Sequence, residues 1–162
     1  MKLKESPDDS IRPTKAIVRK SVFERLEPWA GKTVCDLFAG IGTLGLEALS
    51  RGASHITFVE NDARALAVLE HNLGRIEAKD QITVRPMDVT AFLAAAPQRF
   101  DVVLADPPYQ NASWDSLQAM VRDRVKPGGV FVMELSSSAS LPKELDVRYY
   151  GKTKVCIWRA GA

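Results

Sequence analysis

Residues 33–51 read TVCDLFAGIGTLGLEALSR. A short apolar run over 33–38 enters a turn carrying Gly40, Gly42 and Gly45, and a helical pattern follows over 43–51. Glycine lets a backbone turn sharply and approach a ligand with no Cβ in the way. The spacing alone fits an ordinary strand-to-helix turn as well as several nucleotide-like cofactors, so its surroundings decide how it is read.

On the C-terminal side, strands are predicted at 55–60, 81–86, 101–105 and 129–135, each too short for a helix and mostly rich in Val, Ile, Phe or Leu. Helical patterns lie between them near 62–76, 89–96 and 113–125. Parallel strands need crossover connections, so this alternation predicts a doubly wound α/β fold with helices on both faces. The end of the chain breaks the rhythm: 146–150 and 153–159 read as two strands joined by a tight Gly151-Lys152 turn. A mostly parallel seven-stranded sheet closed by an antiparallel hairpin points to the Rossmann-like class I methyltransferase architecture rather than an all-parallel dinucleotide-binding domain.

On the N-terminal side, the polar stretch 1–11 reads as an irregular arm. A helix follows, with Thr14 as a plausible N-cap and Ile17, Val18, Val22, Phe23 and Leu26 at helical spacing. Residues 1–31 are thus expected to form an arm and helix, and 32–162 the core, within a single domain.

The 162 residues, 46% hydrophobic and 26% charged, exclude a disordered, collagenous or coiled-coil chain. A net charge of +2 does not by itself announce a nucleic-acid partner. Basic residues do gather at both ends, in and before the first helix (Arg12, Lys15, Arg19, Lys20, Arg25) and in and before the last hairpin (Lys143, Arg148, Lys152, Lys154, Arg159), a phosphate-binding rim if both flank one cleft. Cys35 and Cys156 stand in strand-like runs with no CxxC pattern and read as reduced, buried thiols. With no apolar run near the ~20 residues of a membrane span and no signal-peptide core, the expected protein is soluble, cytoplasmic and away from membranes. His55 and His71 lack metal-ligand spacing, so no metal is expected. Trp29 and Trp158 read as packing residues, whereas Trp114 could line a substrate mouth.

Three acids stand where a ligand would lie. Asp36, four residues before Gly40, would repel a pyrophosphate but could face a cationic amino-acid moiety, which favours S-adenosyl-L-methionine over NAD. Glu60, closing the second strand, could accept hydrogen bonds from both ribose hydroxyls, or be a solvated strand-end acid beside Asn61 and Asp62. Asp88 could accept from an adenine amine or simply cap the helix that begins at Val89.

The decisive segment is Asp106-Pro107-Pro108-Tyr109, directly after the 101–105 strand. In an open α/β sheet ligands bind beyond the carboxyl ends of the strands, which places this tetrapeptide beside the Gly40–Gly42 turn. Two prolines remove two backbone donors and stiffen the turn, leaving carbonyls and the Asp106 carboxylate as acceptors. Such a frame can hold a planar NH₂ by both protons while its nitrogen attacks a methyl sulfonium. The nucleobase amine is a poor nucleophile because its lone pair is delocalised; acceptors on both N–H groups favour a pyramidal nitrogen and stabilise the charge that develops. Tyr109 would stack on the base, which has to be unpaired or flipped to enter.

With these residues in hand, the chain resembles the RsmD-type family of bacterial methyltransferases, which modify the exocyclic N2 of one guanine in 16S ribosomal RNA. The resemblance runs from Arg12 to about Arg159 and rests on Arg12-Pro-Thr14 with Val18-Arg19 and Phe23, on the stretch from Asp36 to Ala53, on Asp106-Pro-Pro-Tyr109, and on Tyr150-Gly-x-Thr153. It implies that Asp36, Gly40, Gly42, Glu60, Asn61, Asp88 and Val89 surround S-adenosyl-L-methionine. It also implies that Asp106, Pro107 and Tyr109 position guanine with Pro108 beside them, and that Arg12, Thr14 and Arg19 close over the cofactor or the entering nucleotide. The implied partner is ribosomal RNA or the small ribosomal subunit, met by a monomer. Two features depart from the family pattern: only Met1-Lys-Leu-Lys4 stands where a basic hairpin is usual, and Ile41 replaces a small polar residue. The competing readings are an amino-methyltransferase for adenine N6 or a protein glutamine amide, a non-catalytic RNA-binding assembly factor and, more distantly, an NAD-dependent oxidoreductase.

Overall fold

A computed structural model describes residues 13–95, 97–108, 112–136, 141–143 and 145–162, with the backbone alone for 13–15. Its elements run α1 (Pro13–Arg25), β1 (Thr33–Leu37), α2 (Thr43–Ser50), β2 (His55–Val59), α3 (Ala63–Leu73), β3 (Ile82–Arg85), α4 (Val89–Ala95), β4 (Phe100–Ala105), α5 (Trp114–Val121), β5 (Val125–Ser136), β6 (Asp146–Tyr150) and β7 (Thr153–Arg159). The strands form one seven-stranded sheet in the order β3-β2-β1-β4-β5-β7-β6. The first five strands are mutually parallel, and β7 inserts antiparallel between β5 and β6. The doubly wound sheet with a closing hairpin expected from the sequence is what forms. The order reverses between β1 and β4, the strands that carry the glycine turn and the Asp106 segment.

Alternation along the strands sorts side chains into two cores, because successive residues point to opposite faces. Val34, Val102, Val132 and Ile157 join α1, α2 and α3 on one face; Cys35, Val103, Phe131 and Cys156 join α4 and α5 on the other. Both cysteines are buried and unpaired, as expected, and burial pushes the Cys156 thiol up to about 11. Helix α1 lies on the first core and is tied to the hairpin by Ser21 Oγ and Tyr150 OH at 2.8 Å and by an Arg25–Asp146 ion pair. Trp29 is fully buried, donates its indole N–H to the Phe23 carbonyl at 2.8 Å and stacks on the Phe23 ring.

Several expectations need correction. Helix α1 starts at Pro13, so Thr14 lies inside its first turn rather than at the N-cap; proline is favoured at a first helical position, where a missing N–H costs nothing. Ile17, placed on the apolar side, is 66% exposed. Helix α5 stops at Val121, a short 3-10 turn follows, and β5 begins at Val125 rather than 129. There Lys126-Pro127-Gly128 looks like a chain break but is an irregularity within the strand: Phe100 pairs with Val125, the register shifts, and pairing resumes at Val102–Val130, with Gly128 at φ +78°. Trp114 is 4% exposed and stacks on Phe131 at 5.1 Å between ring centroids, so it is a core residue rather than a lining of the mouth.

Candidate active site

The in-register pairs Asp36–Leu104 and Leu37–Ala105 bring the ends of β1 and β4 level. Asp106 therefore follows β4 two residues beyond the partner of Asp36, on the same side of the sheet. Beyond Leu37, Phe38 takes φ +57°, a left-handed conformation uncommon for a residue with a side chain. The turn is held to its neighbours by Ala39 N–H donating to the Val59 carbonyl (3.0 Å) and Gly42 N–H to the Ala39 carbonyl (2.9 Å). Gly42, at φ +92°, caps α2, and Gly45 lets α2 lie against the sheet: a Cβ there would sit 2.3 Å from the Phe58 ring.

Asp36 is 1% exposed. Its Oδ2 accepts the Gly45 N–H at 2.9 Å, while Oδ1 has no partner among the described residues. Burial drives its pKa well above the usual carboxylate range; the Gly45 hydrogen bond opposes this, and the negative charges of Asp106 and Glu60 add to it. A sealed acceptor in a field of carboxylates, pressed against a turn of glycines, is a place prepared for a positive group.

Glu60 bridges two turns. Its Oε1 accepts the Gly40 N–H at 2.8 Å, and its Oε2 accepts the N–H groups of Asn61 and Asp62, each at 2.8 Å. It is thus more than a solvated strand-end acid, and Oε1, with one donor, keeps acceptor capacity for a further one. Asp62 caps α3 through the Ala65 N–H at 2.9 Å. Asp88 realises its capping alternative: Oδ2 accepts the Ala91 N–H at 3.1 Å at the start of α4. Val89 lines a groove of about 330 Å³ with Phe38, Leu117, Met120 and Met133. Pro107 is half-buried and Pro108 exposed. Arg19 is partly exposed on α1; Arg12 and Tyr109 lie outside the described residues, as does the side chain of Thr14.

Two features escaped the sequence reading. Asn72, fully buried on α3, donates its amide to the Ile41 carbonyl at 2.9 Å and so ties the glycine turn to the helix. Its signal was a polar residue on the apolar Leu66, Leu69, Leu73 side of a helix. The left-handed Phe38 has no sequence signal beyond its place before the glycines. No metal-ligand group of three or more His, Cys, Asp or Glu occurs among the described residues, and no described helix is long and apolar enough to cross a membrane.

The model of the conserved hypothetical protein 95 family matches residues 1–159. The chain belongs to that family. Its relatives include the Bacillus subtilis protein named "Putative rRNA methyltransferase YlbH", 32% identical with 97% of this chain and 92% of the relative aligned. Ribosomal RNA small subunit methyltransferase D of Haemophilus influenzae is also 32% identical, over 82% of this chain and 72% of its own. This bears out the resemblance to the RsmD-type methyltransferases. Among solved structures of similar shape, a hypothetical protein of Thermus thermophilus superposes with a TM-score of 0.83 at 29% identity, covering 100% of this chain and 94% of that one.

Proposed function

We propose that the protein transfers a methyl group from S-adenosyl-L-methionine to the exocyclic N2 amine of a guanine in 16S ribosomal RNA. The observation that carries this reading is the unpartnered, sealed Oδ1 of Asp36 beneath the glycine turn, with Asp106 beginning a proline-stiffened acceptor frame at the adjoining strand end. The family supports an RNA substrate, since its relatives are named as ribosomal RNA methyltransferases.

The residues fit the cofactor. Asp36 Oδ1 offers an acceptor for the methionine ammonium, and the space a Cβ of Gly40 would take is open. Glu60 Oε1 would receive a ribose hydroxyl beside Asn61, and Asp88 with Val89 would face the adenine at the Phe38–Met133 groove. When bound, S-adenosyl-L-methionine supplies an electrophilic methyl on a sulfonium.

The chain's own groups prepare the acceptor. The Asp106 carboxylate and the Pro107 carbonyl would take the two N–H protons of the guanine amine, localising the nitrogen lone pair and fixing its direction. As the nitrogen gains positive charge, those acceptors stabilise it, and Asp106 is placed to take the departing proton. Tyr109 would stack on the flipped base with Pro108 at its edge, while Thr14, Arg12 and Arg19, on or just before α1, would close over the pocket.

The test offers methyl-labelled S-adenosyl-L-methionine with unmodified small ribosomal subunits and, in parallel, with free 16S RNA. Label in either substrate that disappears in Asp106→Ala supports the reading. A folded, cofactor-binding protein that labels neither, or an Asp106→Ala variant that keeps its rate, rejects it.

A further inference from the structure

We infer that Tyr149, with Lys154 beside it, is a stacking platform for an unpaired base of the RNA strand flanking the modified nucleotide. The inference rests on the proposed RNA substrate and adds a contact outside the reacting site.

Tyr149 is 66% exposed, one of two large apolar side chains so placed among the described residues. Its direction follows from the register. Tyr150 and its neighbours on one side pack with α1 on the first core, whereas Val147 packs on the second, so Tyr149 faces the side of α4 and α5. Lys154 is its in-register partner on β7, and the ammonium lies over the ring 5.6 Å from its centroid. Lys154 itself is 9% exposed, which holds one side of the tyrosine while most of the ring stays open to solvent.

The platform shares a strand-end edge of the sheet with the Asp106 segment. Ala105, Met133, Cys156 and Val147 are successive partners across β4, β5, β7 and β6, all in the second core. Asp106 leaves that row on β4 and Tyr149 leaves it on β6, both toward the strand ends where the glycine turn lies. Three strand spacings, roughly 14 Å, separate them along the edge. A few nucleotides of unpaired strand bridge that distance.

The surroundings fit a polyanion. Lys154 lies over the ring, Lys152 stands in the turn just beyond Tyr150, and the sequence from 147 to 159 carries no acid. The acid that begins β6, Asp146, is paired with Arg25 and Arg148. An exposed aromatic ring among basic side chains is how single strands are bound without reading sequence: nucleobases stack on the ring while cations meet the phosphates.

The test compares the full chain with Tyr149→Ala, Tyr149→Trp and Lys152→Ala. It measures binding of a fluorescent, guanine-containing single-stranded RNA oligonucleotide at several salt concentrations, S-adenosyl-L-methionine affinity, and sedimentation. Tyr149→Ala is expected to weaken RNA binding about tenfold with cofactor affinity unchanged and the salt slope kept, and Tyr149→Trp to restore it. Lys152→Ala is expected to lower the salt slope. Unchanged RNA affinity in Tyr149→Ala, failure of Tyr149→Trp to restore it, or no RNA binding by the native protein overturns the platform. So does a Tyr149-dependent dimer with RNA affinity untouched, which assigns the face to a second copy of the chain. A Tyr149-dependent RNA affinity in a protein that methylates no guanine keeps the platform and removes the proposed reaction instead.

Discussion

Asp36 and Asp106 stand at the ends of adjoining parallel strands, one sealed beneath the glycine turn and the other at its lip, and the charge of Asp106 helps push the Asp36 carboxyl above its usual range. Two acids with different surroundings can hold different tasks. In the proposed reaction the buried one would meet the cation of the donor, and the one at the lip would meet the protons of the acceptor.

The first consequence is a pH dependence. With its folded-state pKa raised, chiefly by burial, Asp36 holds a proton more tightly folded than unfolded. Its contribution to stability is present below the ordinary carboxylate pKa of about 4 and is lost as pH rises toward the folded value. Asp36→Asn keeps a neutral acceptor for Gly45 and is expected to gain stability relative to the native protein as pH rises, in urea melts at acid and neutral pH. A cationic donor needs the ionised form, so native affinity for S-adenosyl-L-methionine should increase with pH, and Asp36→Asn should flatten that slope. Parallel melting curves and parallel binding curves for the two proteins would remove this role.

Substitutions in the glycine turn should separate folding from binding. Gly45→Ala gains about 1 kcal/mol of helix propensity but drives a methyl to 2.3 Å from Phe58. Overpacking of about 1–3 kcal/mol wins, and urea denaturation should show a net loss. Gly40→Ala meets no atom within 4 Å but must keep φ +59°, a cost of about 1–2 kcal/mol. Its methyl would enter the space assigned to the cofactor, so calorimetry should record a loss of cofactor affinity out of proportion to the loss of stability.

Asn72→Ala is expected to cost about 1–3 kcal/mol, because the Ile41 carbonyl loses a buried donor and the helix loses its tie to the turn. The same variant should bind S-adenosyl-L-methionine more weakly, although Asn72 belongs to α3 and not to the turn itself. Equal cofactor affinity in the two proteins would show that the turn keeps its shape without this tie.

Asp106→Ala is expected to lower kcat by about 100-fold or more, the usual effect of deleting one group aimed at developing charge. Cofactor affinity should change little, since the proposed frame assigns this side chain to the acceptor. A variant that loses cofactor binding and retains kcat would place Asp106 on the wrong side of the reaction.

The sheet was readable because each strand up to β4 is a short apolar run closed by glycine, proline or an acid, and β1 to β4 differ from the expected ranges by a residue or so. Pro127 and Gly128 mark a turn in local terms, yet β5 keeps pairing with β4 through a register shift that tertiary context alone supplies. By contrast, α1 begins two residues early for a local reason, because Pro13 suits a first helical position. At the site, Asp36, Glu60 and Asp88 announced themselves as acids at strand ends. The hydrogen bonds that Glu60 and Asp88 make to backbone N–H groups depend on turns meeting across the sheet, and the tie from Asn72 is likewise a contact that no local pattern encodes.

The most direct trial of the account is the identity of the methylated product. Unmodified 16S RNA, incubated with the protein and S-adenosyl-L-methionine, would be digested to nucleosides and resolved by mass spectrometry against N2-methylguanosine and N6-methyladenosine standards. The proposed reaction, with guanine held at Asp106 and Pro107, predicts N2-methylguanosine. Methyladenosine, or methyl groups appearing only on protein glutamine, would contradict it.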